Sequence, residues 1–141
     1  MKKRNPEPVF AGNVLYSGER DMLKLKLDRI LSAMGLAMNA GGLAVGSEAV
    51  ITAIERKKAR LVFLADDISA NTREKLISKL VLSETKYIVL PCGMALVAER
   101  LGKSGLVSSA ALIRPGFEKI IFKCMAEANT VKSLDNTTEV Q

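Results

Sequence analysis

Histidine and tryptophan are absent from this 141-residue chain, aromatics amount to only 4%, and there are two cysteines and four prolines. Each shortage removes a class of function. Without histidine the commonest general base and the commonest metal ligand are gone, and a Cys–His nucleophilic pair is impossible. Two cysteines, Cys92 and Cys124, make no disulfide framework. So few aromatics argue against a surface that holds single strands by stacking their bases. The longest apolar runs, such as Leu61 to Ala65, fall far short of the roughly 20 residues a membrane-crossing helix needs, and the opening MKKRNPEPVF carries no signal-peptide apolar stretch. The expectation is a cytoplasmic protein with no membrane association, no metal, no cofactor and no catalytic activity.

What the chain does contain is a hydrophobic fraction of 48%, enough to bury one core, and a formal net charge of +6. A positive balance suits a partner rich in phosphate, read through backbone and shape. Residues 1–20 hold Pro6, Pro8, Gly12 and Gly18 with no apolar period and read as a flexible arm. Residues 21–128 read as a single α-β-α domain, and residues 129–141 as a polar, disordered tail.

Within the domain Leu23, Leu27, Ile30, Leu31, Met34 and Met38 recur at helical spacing, and Asn39 to Gly42 provides a stop. Leu43 to Val45 reads as a very short edge strand. A second helix carries Ala49, Val50, Ala53 and Ile54 on one side and ends at the basic cluster Arg56 to Arg60. ARLVFLA is too continuously apolar for a half-exposed strand and predicts one covered on both faces. Asn71 and Glu74 resemble a capping pair for a third helix, whose stripe is Leu76, Ile77, Leu80 and Val81. KYIVLP predicts another buried strand, followed by a helix over 94–101, a strand over 107–113 and a last helix over 115–128 with Pro115 in its first turn. The fold class is α/β, a three-layer α-β-α sandwich with a mixed sheet of about four short strands.

The glycine-rich stretch GGLAVGSEAV, residues 41–50, matches neither G-x-G-x-x-G nor a G-K-[ST] loop. Its local reading is that Gly41 and Gly42 end the first helix, Gly46 allows a tight turn and the Ser47 hydroxyl caps the second helix. A helix start also attracts anions, whereas the Glu48 carboxylate there opposes them, and both readings stay open. Cys92, between a strand end and a helix start, reads as a buried thiol for want of a base. Asp66 and Asp67 read as a turn with capping duties rather than an acid–base pair. Arg73, Lys75, Lys79 and Lys86 read, like the 56–60 cluster, as solvated charge.

Taken together, LSAMGLAMNAGGLAVGSEAVITAIERKKARLVFLADDIS and the later ERLGKSG resemble the ribosomal L-seven-Ae / L-thirty-e superfamily in its bacterial branch, over about Leu23 to Lys123. The resemblance implies an α-β-α sandwich and a ribosome-associated, structured RNA partner of the kink-turn type. It also implies an RNA-binding surface at Gly46, Ser47, Glu48, Ala49 and Thr52, with Leu106 and Val107 from the loop before the last strand. Where the family reads roughly G-T-N-E-x-x-K, this chain runs from Gly46 to Thr52 as GSEAVIT, and Asn39 and Gly42 stand at the family's basic positions. The alternative implied by those departures is a protein-interaction module that keeps the fold without specific RNA recognition.

Overall fold

The computed structural model describes residues 10–11, 14–15 and 20–124. Along them run β1 (Phe10–Ala11), β2 (Val14–Leu15), α1 (Arg20–Asn39), β3 (Leu43–Val45), α2 (Ser47–Glu55), β4 (Leu61–Leu64), α3 (Ala70–Ser83), β5 (Tyr87–Val89), α4 (Met94–Arg100) and β6 (Ser109–Leu112). A further helix, α5, occupies 117–124. No described helix is long and apolar enough to cross a membrane.

The sheet order is β1-β2-β5-β4-β6-β3. The four strands read from the sequence form its contiguous part and make it mixed, because β4 pairs in parallel with β5 and antiparallel with β6, and β6 pairs antiparallel with β3. β3 lies at the edge, as its brevity suggests. Every residue of β4 and of β6 is buried. Side chains of a strand alternate between its two faces, so both faces of this sheet are covered. The covers are two helix pairs, α2 against α3 and α1 against α4. β1 and β2 lie in the stretch expected as an arm and add to the β5 edge, with Val14 opposite Tyr87. The expected tail, 129–141, lies outside the described residues.

Several boundaries move for physical reasons. α5 starts at 117 rather than at Pro115, because Gly116 takes φ 101, which no helical residue adopts, and Pro115 is left in the preceding turn. The cap of α3 is Ser69 rather than Asn71: the Thr72 N–H donates to Ser69 Oγ at 3.3 Å, which puts Asn71 inside the helix. β6 begins at Ser109, two residues later than the apolar pattern suggests, since Val107 is spent on contacts with α4, its N–H donating to the Met94 carbonyl.

Candidate functional site

Strand direction sorts the loops into two groups. β3, β4 and β5 run the same way, so the starts of α2, α3 and α4 and the loop entering β6 share one end of the sheet, and the ends of α2 and α3 share the other.

At the first end the chain leaves β3 through Gly46, whose φ 101 and ψ 153 suit glycine and few other residues. Nothing lies within 4 Å of where its Cβ would be, so the backbone is open to an approaching group. The Gly46 N–H donates to the Ser109 carbonyl at 2.8 Å, and its own carbonyl accepts from Val50. Gly46 is therefore the cap of α2, and it has no side chain with which to cap. That overturns Ser47 as the capping residue: Ser47 is already in the first turn and makes no capping bond. Among the described residues no group accepts from the N–H of Ser47, Glu48 or Ala49. Unpaired amides at a helix start carry the positive end of the helix dipole and favour an anion. Glu48, Ala49 and Thr52 are exposed along the same helix, while Ser47 is half-buried.

The loop entering β6 reaches the sheet beside Gly46 and presents Leu106, 65% exposed. Val107 was expected beside it on the surface, but its side chain is 5% exposed and belongs to the core. Of that pair only Leu106 offers a side chain to a partner. Asn39 is exposed at the last residue of α1, at the other end of the sheet, and Gly42 is buried against Phe117, 3.0 Å from its absent Cβ. Neither residue joins the start of α2.

The acidic turn has a structural task. Asp67 Oδ1 accepts the Met94 N–H at 2.9 Å, so this carboxylate caps α4 from a distance of 27 residues in sequence. Gly93 makes room for it: a Cβ there would stand 2.6 Å from Asp67 Oδ2. Cys92 is buried beneath, and burial, with Asp66 and Asp67 adding repulsion, pushes its thiol up to about 11. A thiol so protonated is not a nucleophile at neutral pH. No group of three or more potential metal ligands is present among the described residues.

The opposite end is where the basic side chains gather. Lys57, Arg60, Lys79 and Lys86 line one open cleft of about 940 Å³ whose apolar lining includes Ile54, Leu82 and Phe122. Arg60 Nε donates to Glu118 Oε2 and Lys79 Nζ to Glu55 Oε2, each at 2.8 Å. The Lys79 hydrogen bond holds the Glu55 carboxyl below its usual range. Burial pushes Glu118 up, but the bond from Arg60 and backbone donors outweigh it and keep that carboxyl low. This sharing of one surface by the 56–60 cluster, Lys79 and Lys86 depends on parallel α2 and α3, which no local pattern discloses.

Comparisons agree with the architecture. The model of the ribosomal protein L7Ae/L30e/S12e/Gadd45 family matches residues 28–122. An Enterococcus faecium protein named RNA-binding protein YlxQ is 34% identical over 95 residues, which cover 64% of this chain and 85% of that protein. A Bacillus halodurans structure of unknown function superposes with a TM-score of 0.60 at 25% identity, over 70% of this chain and 97% of that one. The Giardia lamblia 15.5kD RNA binding protein has the same fold, with a TM-score of 0.58 at 15% identity over 77% and 89% of the two chains. The functional names among these denote binding and none denotes catalysis. Since the matched span runs from within α1 into α5, the chain belongs to the ribosomal protein L7Ae/L30e/S12e/Gadd45 family.

Proposed function

We propose that this chain is a non-catalytic RNA-binding protein, cytoplasmic and ribosome-associated, that engages structured, kink-turn-like RNA through the start of α2. The observation that carries the reading is the set of open amides at Ser47, Glu48 and Ala49 behind Gly46, beside the exposed Leu106. Amides aimed outward from a helix start hold a phosphate oxygen without requiring a cationic side chain there. A leucine side chain at the rim suits the apolar face of an unstacked base. Family membership and the name of the Enterococcus relative supply the ligand class.

Glu48 limits the contact, because its carboxylate stands where a phosphate would approach. Binding is therefore expected to be driven mainly by phosphate contacts with modest preference for a kinked RNA. Titration of a labelled kink-turn RNA and a straight duplex at low salt tests this, with saturable binding and a few-fold preference expected. Absence of association with either RNA overturns the proposal, and the exposed Leu106 and Leu96 then favour a protein partner at this end.

A further inference from the structure

We propose that the RNA-contacting surface extends to the opposite end of α2, where the basic cleft holds a second stretch of phosphodiester backbone. The inference rests on the RNA-binding reading above and concerns a place that the family resemblance does not assign.

Charge is the first argument. On the loops around the start of α2 stand Glu48, Asp66 and Asp67, with Lys103 as the cation of the loop entering β6. The start of α2 and the loops beside it offer amides but little positive charge, the nearest exposed cations of α3 being Arg73 and Lys75. The cleft offers the reverse. Its carboxylates Glu55 and Glu118 are each engaged by one of its own cations, Lys79 and Arg60. Glu84 is the remaining carboxylate of the lining, which also holds Lys57 and Lys86. Exposed Arg56 and Lys58 flank Lys57, and none of these three has an ion-pair partner among the described residues.

Backbone conformation is the second. All four helices α1 to α4 end in a left-handed turn in which paired N–H groups fold back on the last carbonyls. α1 uses Gly41 there, with φ 75, and α4 uses Gly102, with φ 70. α2 uses Lys57, with φ 59, and α3 uses Glu84, with φ 57. A side chain in this conformation crowds the following carbonyl, a steric cost that glycine escapes. Both strained residues line the cleft, and no other described non-glycine residue has positive φ. Lys57 bonds through its backbone to the Ile54 carbonyl, a bond that glycine would make equally well. Lys57 thus brings its charge to the cleft at a steric cost that glycine would avoid, and Glu84 brings one carboxylate there in the same conformation, against the cations Lys57, Arg60, Lys79 and Lys86 of the lining.

Reach is the third. From Gly46 to Lys57 along α2 is about 16 Å at 1.5 Å per residue. Phosphates of one strand recur on the order of every 3 Å along a duplex axis, so about half a helical turn links the two ends and one RNA can touch both. The helix face between them is exposed at Ala49 and Thr52, and its last carboxylate, Glu55, is already neutralised by Lys79.

The experiment uses the full chain and a fluorescein-labelled kink-turn hairpin whose flanking duplex is either long or trimmed to the kink. Lys57→Gly removes the charge and relieves the turn, so its melting temperature should stay level or rise. Lys57→Gly with Lys58→Gln should weaken binding to the long RNA about ten-fold, reduce the magnitude of its log–log salt slope by about 2, and leave binding to the trimmed RNA nearly unchanged. Lys24→Gln, an exposed charge on α1, is the control for net charge alone and is compared with the single variant Lys57→Gly, which also removes one charge. Equal losses in the control and the cleft variants, or no loss in the cleft variants, would overturn the inference while parent binding keeps the first reading intact. A parent chain that binds neither RNA overturns both.

Discussion

Asp67 is two residues beyond the last fully buried position of the β4 strand exit, yet its partner is the amide of Met94, and this single bond decides how the acidic turn should behave when altered. Replacing Asp67→Ala removes a carboxylate cap, which costs about 1 kcal/mol, and should lower the urea midpoint without changing affinity for RNA. An unchanged midpoint would return Asp66 and Asp67 to consideration as functional groups. Cys92 gives a second test through pH. Its thiol is held protonated from the usual 9.0 up to about 11 in the folded chain, chiefly by burial, whereas the unfolded chain ionises near the usual value. The unfolded state therefore loses the proton first, and stability, fully present below about 9, falls as pH rises toward 11. Tyr87, also raised by burial, acts in the same direction. Chemical denaturation from pH 8 to 11 should show this decline, and Cys92→Ala should flatten part of it, with any RNA binding at neutral pH retained.

Helices and strands were legible wherever burial imposes a period on the sequence. The continuous LVFL of β4 and the three-and-four spacing of α1, α2 and α3 carry their own positions, because each must hide an apolar face from water. Element ends were less legible. Ser47 has the residue type of a cap, yet Gly46 holds the position because its N–H is claimed by the Ser109 carbonyl across the sheet. Lys57 ends α2 in a turn whose usual residue is glycine, and Asp67 serves a helix far along the chain. Such roles are set by tertiary neighbours. The candidate site shares this division: Gly46 and the exposed Glu48, Ala49 and Thr52 follow from helix position, while the separation of Leu106 from Val107 depends on where β6 begins. At this scale the first turns of α2 can be redesigned. Glu48→Asn removes a repelling carboxylate and adds a hydrogen bond worth on the order of 1 kcal/mol, and Thr52→Lys adds about one phosphate contact. The pair should tighten kink-turn binding about ten-fold relative to a straight duplex, at little cost in melting temperature because both sites are exposed. Equal affinities of parent and double variant for both RNAs would place the binding surface elsewhere.

The charge of the whole molecule resides in the described domain rather than in its flanks. Residues 1–19 hold Lys2, Lys3 and Arg4 against Glu7 and Glu19, a net +1, and residues 125–141 hold Lys132 against Glu127, Asp135 and Glu139, a net −2, so residues 20–124 carry +7 of a chain whose total is +6. If RNA is held through phosphates, the counterions released come from contacts on that domain. About four such contacts, divided between the start of α2 and the basic cleft, give a log–log salt slope of roughly −3 to −4. A chain cut to residues 20–124 should keep that slope. Its melting temperature should fall only slightly, because β1 and β2 contribute two residues each to the sheet. The same cut exposes the hydrogen-bonding edge of β5, now paired with β2, and self-association at high protein concentration should increase. Sedimentation and salt titration separate these effects. A slope reduced in magnitude by about 2 in the cut chain would mean that Lys2, Lys3 and Arg4 reach the RNA, and the footprint would then have to be drawn beyond the sheet and its helices.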